Sequence, residues 1–340
     1  MAENDEFHDA LVGPERTGLP TGFFDRLMFN MHPVAVGPGS PSIIMGYGIY
    51  PPKDTTDGFV VYSDGTEQRN LRFAGELSAT GRDGSRPFRF RIEVPNQRWR
   101  LSLAADEIGV DGEIVWQART PAWWGEVAVD NATSTRTAFD HLFQSGTYTG
   151  TVRIDGTETS VHGWYGQRDR SRGVRTMSGG QGLHLWFQAQ FPEFSIGFLL
   201  VETRGGARLL LEGAVMHAAG HLDPIIGVRH DLTFDDALDL IGGDVEVSTA
   251  AGRTHRIRSV STGRGGYMAG AGYGGHHGDS RGANHVESER WQMDGSVSPR
   301  TVDSALTDRL CAFDLDGTAG SGIFEFALTR SSRYTYRPTL

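Results

Sequence analysis

The chain has 340 residues, enough for one large domain or for two of ordinary size. Its net charge of −10 argues against a nucleic-acid partner, because such proteins carry a basic excess. The single cysteine, Cys311, excludes an internal disulfide and a C-x-x-C metal site. The single lysine, Lys53, lies in a P-P-K-D turn where solvent is expected, which argues against a Schiff-base mechanism.

The N-terminal segment M-A-E-N-D-E-F-H-D-A is acidic and lacks the basic and then apolar pattern of a secretory signal. No apolar run approaches the ~20 residues that a membrane-spanning helix requires. We therefore expect a cytoplasmic protein without a membrane span. Its oligomeric state stays open between monomer and homodimer.

The chain begins with a polar segment, residues 1–22, that is predicted to form an N-terminal arm. Phe23–Met31 is apolar and predicts a strand or a short helix, and Ser42–Tyr50 predicts a strand. Phe88–Val94 alternates apolar and polar residues with the period of a half-buried strand. Phe139–Ser145 stays open between a helical turn and the start of a strand.

Asp-Gly pairs separate several of these apolar or alternating runs. They occur at Asp64-Gly65, Asp83-Gly84, Asp111-Gly112 and Asp155-Gly156. A tight hairpin needs positive φ at both central residues, which makes Asp-Gly a strong hairpin signal. Strands with turns at this spacing predict an antiparallel sandwich or barrel.

The second half of the chain continues this pattern. Its predicted strands include Leu183–Phe191, Phe194–Thr203 and Gly322–Thr329. Thr233–Leu240 predicts either a short helix or an edge strand, and no segment predicts a long helix. The fold is therefore predicted to be all-β, with a first domain over residues 23–177 and a second over residues 178–340.

The stretch Val161–Arg175 reads V-H-G-W-Y-G-Q-R-D-R-S-R-G-V-R and interrupts the strand pattern near the midpoint of the chain. It combines glycines, aromatics and arginines with one aspartate, a mixture that no amphipathic pattern explains. Because it lies between two β-rich halves, we predict that it forms a loop at a wall or mouth shared by the two domains.

Several segments resemble a lipocalin-like superfamily that includes carotenoid hydratases (hydroxyneurosporene synthases), Diels–Alderases and many bacterial members. The resemblance begins at F-Q-S-G, Phe143–Gly146, and is strongest over Gly163–Arg175. There the family typically has a glycine-aromatic-glycine element followed by R-D-H-S-W-G-x-R. Arg170 and Arg172 stand at the positions of the family's histidine and tryptophan.

Two later segments extend this similarity. They are the glycine- and histidine-rich Gly272–Trp291 and the strand G-S-G-I-F-E-F at Gly320–Phe326. The resemblance implies two lipocalin-like antiparallel β-barrel or sandwich domains packed side by side, with the central motif at the end of the first. It also implies an apolar cavity that holds an isoprenoid or polyketide-like ligand.

Asp169 is the first candidate for a catalytic acid. Among aromatic residues its pKa would be raised by desolvation, which would allow it to protonate an alkene. The alternative, which the neighbouring arginines favour, is a buried structural Arg–Asp pair that fixes the loop. Glu212 is the second acid candidate, because it lies between L-L-L and G-A-V; an exposed edge position is its alternative.

His276 is the third catalytic candidate, in a polar cluster that also contains His277, Asp279, His285 and Glu287. The glycine-rich flanks argue against a metal site, because they cannot preorganise ligands. We expect a flexible glycine-rich loop over the mouth of the cavity, with a histidine available as acid or base.

The remaining candidates would bind the substrate. Arginines suit an anionic or carbonyl-bearing ligand, and large aromatics suit an apolar pocket, although many of these aromatics are expected to be plain core. The predicted substrate-binding residues are Trp164, Tyr165, Arg168, Arg172, Arg175, His184, Trp186, Tyr273, His277 and Trp291.

These observations predict a cofactor-independent enzyme of the hydratase (lyase) or isomerase/cyclase type, without a metal. It would act on a hydrophobic small molecule, such as a terpenoid, polyketide or aromatic compound of secondary metabolism. The reaction would be hydration, isomerisation or cyclisation in an apolar cavity at the domain junction. The alternative is a non-catalytic carrier of the same ligands, which the arginines at positions 170 and 172 favour.

Overall fold

The computed structural model describes residues 10–130, 136–175 and 181–340, which form two β structures side by side. The first is a curled antiparallel sheet. Its strands before the midpoint are β1 Phe23–Met31, β2 Ser42–Tyr50, β3 Thr55–Ser63, β4 Glu67–Glu76, β5 Gly84–Ser85, β6 Phe88–Val94, β7 Arg98–Ala105, β8 Val110–Ala118, β9 Trp123–Asp130, β10 Arg136–Ile154, β11 Thr157–Ser160 and β12 Tyr165–Val174.

The second structure is a closed antiparallel barrel of eight strands. In barrel order these are β13 Gln181–Gln190, β14 Phe194–Thr203, β15 Arg208–His217, β16 Leu222–Phe234, β17 Leu240–Thr249, β18 Thr254–Ser261, β20 Thr307–Leu315 and β21 Thr318–Leu328. Pairing of β21 with β13 closes the barrel.

One strand from the second half, β19 His285–Gln292, leaves the barrel and pairs with β4 at the edge of the first sheet. The order of that sheet is β19-β4-β3-β2-β1-β12-β10-β8-β7-β6-β5, with β9 and β11 also paired to β10. The predicted boundary at residue 177 lies outside the described residues. Residues 285–292 were predicted in the second domain, but their pairing with β4 places them in the first sheet.

Helical turns in the described residues are short. They are α1 Leu77–Thr80 and the 3-10 turns Pro51–Lys53, Asp106–Ile108 and Met268–Ala271. The segment left open at Phe139–Ser145 lies inside β10. The segment left open at Thr233–Leu240 holds the end of β16, a turn and the first residue of β17.

The Asp-Gly signals have different outcomes. Asp155-Gly156 has positive φ at both residues and forms the tight turn between β10 and β11. The turn expected at Asp111-Gly112 is wrong, since both residues lie within β8. A Cβ at Gly112 would meet the backbone of Thr151 on β10, so this glycine permits close strand pairing.

The segment predicted as a loop at Val161–Arg175 is mainly a strand, β12, in the middle of the first sheet between β1 and β10. Its alternating side chains explain the unusual composition. Arg168 and Arg170 point into the first domain, while Asp169 points to the opposite face of the sheet. Each charge has a buried partner, so a polar sequence can form a central strand.

The glycine-rich segment also differs from the expected flexible loop. Tyr267 and Met268 are fully buried, and Met268 and Ala271 belong to the apolar cluster between the two structures. A Cβ at Gly270 would collide with the side chain of Asn70 on β4. Glycine is used here because the backbone packs closely against the first sheet.

Candidate functional site

The two β structures face each other across a shared core, which we call the junction. Apolar side chains from both sides form one buried cluster there. Its members include Phe24, Met28, Phe139 and Phe143 from the first sheet, and Trp186, Leu199, Ala214 and Ile323 from the outer face of the barrel. Several ionisable side chains are buried in this apolar surface.

A histidine held between two carboxylates is the first ionisable group of the junction. His141 on β10 has its Nε2 atom 2.7 Å from Oδ1 of Asp169, and its Nδ1 atom hydrogen-bonds Oε1 of Glu212 on the barrel. The side chains of His141 and Glu212 are 4% and 7% exposed, and that of Asp169 is 15% exposed. Asp169 is therefore the member that a ligand can reach.

Strand geometry explains how these three residues meet. His141 alternates with Phe139 and Phe143 on the junction face of β10, and Asp169 is paired with Phe143 across the ladder. Gly125 on β9 is paired directly with His141, and a Cβ there would collide with Oε2 of Glu212. The glycine thus makes room for the carboxylate from the barrel.

Electrostatics favours the protonated form of His141. Burial alone would lower the pKa of this imidazole, but the carboxylates of Glu212 and Asp169 outweigh burial and raise the pKa to about 10. At neutral pH the group is an imidazolium between two acids. The imidazolium of His141 can donate a proton to Asp169, and its hydrogen bond fixes the orientation of that carboxyl group.

A second ionisable group lies on the barrel wall of the junction. Nε2 of His184 on β13 is 2.6 Å from Oε1 of Glu325 on β21, and Asp308 on β20 is paired directly with Glu325. Burial raises the pKa of Glu325 to about 7 and lowers the pKa of His184 to about 4. This wall therefore holds a carboxyl group that titrates near neutral pH.

A third group connects the glycine-rich segment to the first sheet. Arg26 hydrogen-bonds the hydroxyl of Tyr50 and lies 3.6 Å from the carboxylate of Asp57. Asp57 also accepts a contact of 3.3 Å from His277, whose ring packs edge-on against Tyr273 with centroids 4.5 Å apart. These contacts attach residues 273–277 to the junction.

A cleft of about 360 Å³ lies beside the His141 group. Its lining residues include Val12, Arg16, Phe23, Val127, Phe139 and Arg172. The ring of Phe139 also packs edge-on against His141, with centroids 6.0 Å apart. Phe139 is therefore shared by the cleft and the His141 group.

The structure brings seven of the predicted site residues to the junction. These are Asp169, Glu212, Arg175, His184, Trp186, Tyr273 and His277. The guanidinium of Arg175 lies 4.4 Å from the centroid of Phe139. The indole Nε1 of Trp186 is buried and has no hydrogen-bond partner among the described residues, so it remains available as a donor.

The other predicted residues lie elsewhere. Arg168 stacks on Trp99, 5.1 Å from the ring centroid, inside the first domain. The remaining contacts are Arg172 with Asp140, Tyr165 with Arg119, Trp164 with the first-domain core, Trp291 on β19 opposite Gln68, and His276 with Arg281. Arg172 does line the cleft.

Three of the central residues, His141, Asp308 and Glu325, were not predicted from the sequence. Each is a polar residue on an alternating strand whose neighbours on the same face are apolar, which is a readable signal of a buried functional group.

Among the described residues, no cluster of three or more acidic, histidine or cysteine side chains is arranged to hold a metal ion. No described helix is long and apolar enough to cross a bilayer.

Residues 55–274, more than half of the chain, match a family described as a domain of unknown function, DUF7064. The chain belongs to this DUF7064 family. No curated protein sequence matches it significantly.

The chain is similar to several solved structures. A provisional AttH from Nitrosomonas europaea superposes with a TM-score of 0.62 at 13% identity, over 94% of this chain and 96% of that one. Kievitone hydratase from Nectria haematococca gives a TM-score of 0.45 at 10% identity, over 94% and 93% of the two chains. CghA gives 0.46 at 9% identity, over 89% and 88%. The predicted two-domain lipocalin-like β fold is confirmed.

Proposed function

We propose that this DUF7064 protein is an enzyme that transfers protons to and from a hydrophobic small molecule bound at the junction. The reaction is a hydration, an isomerisation or a cyclisation, and it needs no cofactor. A terpenoid, a polyketide or an aromatic compound with a double bond or a carbonyl group fits the composition of the junction.

The observation that carries this proposal is His141 between Asp169 and Glu212, buried where the two domains meet. Glu212 also accepts a hydrogen bond of 3.3 Å from Nε1 of Trp123, which fixes the carboxylate behind the imidazolium. Asp169 faces the junction and delivers the proton that His141 supplies. Such a positioned acid typically accelerates proton transfer by about 100-fold to 10,000-fold.

The surroundings support a neutral, largely apolar substrate. Phe143 and Trp186 are buried beside the acid and make its surroundings apolar. The free indole N–H of Trp186 and the guanidinium of Arg175 are donors that suit a carbonyl oxygen. Of the three predicted catalytic residues, the proposal uses Asp169 and Glu212, since His276 is bonded to Arg281.

Incubation in deuterated water tests the proposal. The purified protein is mixed with a panel of terpenoids, polyketides and aromatic compounds, and the products are analysed by mass spectrometry. Isomerisation adds one deuterium to the product, hydration adds the elements of deuterated water, and cyclisation changes the retention time. We expect Asp169→Asn to lower the conversion by about 100-fold or more.

The matched control is Asp231→Asn on β16, an exposed position of the barrel. This variant should convert substrate at the wild-type rate. Full turnover by Asp169→Asn would show that Asp169 is not the acid. Tight binding of panel compounds that are always returned unaltered would favour the alternative function, a carrier of hydrophobic ligands.

A further inference from the structure

Two carboxyl groups lie side by side on the barrel wall, across the junction from Asp169. Asp308 is 1% exposed and Glu325 is 8% exposed, and they are directly opposite each other in the β20–β21 ladder. No donor among the described residues reaches either oxygen of Asp308 except the carboxyl group of Glu325. A buried carboxylate without donors is costly, so the pair must hold a proton.

Burial raises the pKa of both acids. The pKa of Asp308 is well above its ordinary value because the group is buried and lies next to Glu325. Glu325 in turn has the neutral imidazole of His184 as a neighbour at 2.6 Å. Glu325 can therefore release or accept a proton near neutral pH while Asp308 stays protonated beside it.

Charged and titratable groups from several elements face Glu325. They are Asp308, His184, Asp169, His141, Arg175 and Tyr273. The negative charge of Asp169 contributes to the raised pKa of Glu325, and the charges of Arg175 and His141 oppose it. The carboxyl groups of Glu325 and Asp169 are thus close enough for the charge of one to change the pKa of the other.

A narrow crevice between the two domains lies next to this pair. It is lined by Ser40, Ser42, Ser63, Thr262 and Arg264, and Asp308 also contributes to its lining. Its free volume of about 10 Å³ is near the minimum that holds one water molecule. Hydroxyl-bearing residues along such a crevice suit the exchange of protons with solvent.

We propose that Glu325 is a second catalytic residue, which removes a proton from the substrate while Asp169 donates one from the opposite wall. This assignment rests on the proposed function and restricts it to isomerisation of a neutral compound with a double bond. One C–H bond breaks and its proton passes to Glu325, the double bond shifts, and one C–H bond forms with the proton that Asp169 relays from His141. The substrate and product have the same composition. The cycle closes when Glu325 releases one proton to solvent and His141 takes one up through Asp169, so no net proton is consumed.

Glu325→Gln in deuterated water tests the catalytic role. Wild-type protein should yield an isomer that carries one deuterium, and Glu325→Gln should lower this conversion by about 100-fold or more. Asp231→Asn is again the matched control. Equal conversion by wild type and Glu325→Gln would overturn this assignment and leave the proposed function standing. A product that carries the elements of water would also overturn it, whereas no conversion by wild type would overturn the proposed function itself.

Infrared spectroscopy tests the shared proton without any substrate. We expect the C=O stretch of a protonated carboxyl group in wild-type protein, titrating near pH 7 and absent from Glu325→Gln. A wild-type spectrum in which every carboxyl band titrates in the ordinary acidic range would overturn the assignment. This result does not depend on whether a substrate has been found.

Asp308 is a positioning residue in this scheme, because it donates its hydrogen bond to Glu325 and so lowers the pKa of that group. Asp308→Ala removes the donor and should raise the pKa of Glu325. The rise of the reaction rate with pH should therefore shift to higher pH than in wild type. Asp308→Asn keeps an N–H donor and should restore the wild-type profile. Identical pH profiles for Asp308→Ala and wild type would contradict this role.

Discussion

At the scale of single residues, the proton on His141 links the site to stability. The pKa of about 10 lies above the ordinary value of 6.5, so the folded protein holds this proton more tightly than the unfolded chain. The resulting stabilisation is fully present below pH 6.5 and is lost as the pH rises towards 10. It amounts to at most about 5 kcal/mol, since a tenfold change in proton affinity corresponds to about 1.4 kcal/mol.

Urea unfolding at a series of pH values between 6.5 and 10 measures this effect. The free energy of unfolding of wild-type protein should fall across this range, and that of His141→Asn should fall much less. His162→Asn replaces an exposed histidine and should follow the wild-type curve. Parallel curves for wild type and His141→Asn would show that His141 does not hold the proton.

Asp169 and Glu212 could be selected from the sequence as acids in unusual surroundings, but their connection through His141 could not. The imidazole and Glu212 are 71 residues apart, and no local pattern specifies which barrel strand faces β10. His141 itself was readable in principle, because Phe139 and Phe143 place it on an apolar face. With Phe139–Ser145 left open between helix and strand, that face could not be assigned.

At the scale of elements, β12 is held by a buried ion pair that crosses to β1. Arg170 donates to both carboxylate oxygens of Asp25, at 2.9 and 2.7 Å, and the two side chains are 1% and 0% exposed. Arg170 also donates to the carbonyl of Ala10, and Asp25 accepts from the backbone N–H of Val12. The pair therefore attaches residues 10–12 to the strand.

Arg170→Ala should lower the free energy of unfolding by about 3–5 kcal/mol, because it leaves the carboxylate of Asp25 buried without its partner. Denaturant unfolding at neutral pH measures this loss. Arg153→Ala is the matched control, since its pair with Asp111 lies at the surface, where solvent screening leaves it little effect on stability. A similar effect of the two substitutions would contradict the role of the buried pair.

Several strand positions were predictable from the sequence. Ser42–Tyr50 and Phe88–Val94 are strands with the predicted bounds, and Phe23–Met31, left open between a strand and a short helix, is a strand with those bounds. The pairing of β19 with β4 was not predictable, because its contacts join residues more than two hundred positions apart, as in Arg72 with Glu287. The strand character of β12 was hidden by arginines whose partners lie on other elements.

At the scale of the whole molecule, the junction makes the two domains depend on each other. Phe143 is fully buried and its ring packs on Gly197 of β14, where a Cβ would leave no space. Ile323 on the barrel is fully buried in the same apolar cluster. Neither surface can be exposed to water without a large loss of favourable burial.

We therefore predict one cooperative thermal transition for the described body of the protein. Phe143→Ala should cost about 3–5 kcal/mol and Ile323→Ala about 2–5 kcal/mol, and each should lower the midpoint of that same transition. Scanning calorimetry tests this, because the calorimetric and van't Hoff enthalpies agree only if both domains unfold together. Val260→Ala, at an exposed position on β18, is the control and should change the midpoint little.

If the substitutions instead split the transition, with Phe143→Ala and Ile323→Ala each moving only one part, the domains are independent. The junction would then be a contact surface between two stable units rather than a shared core that keeps His141 and Glu325 at fixed positions.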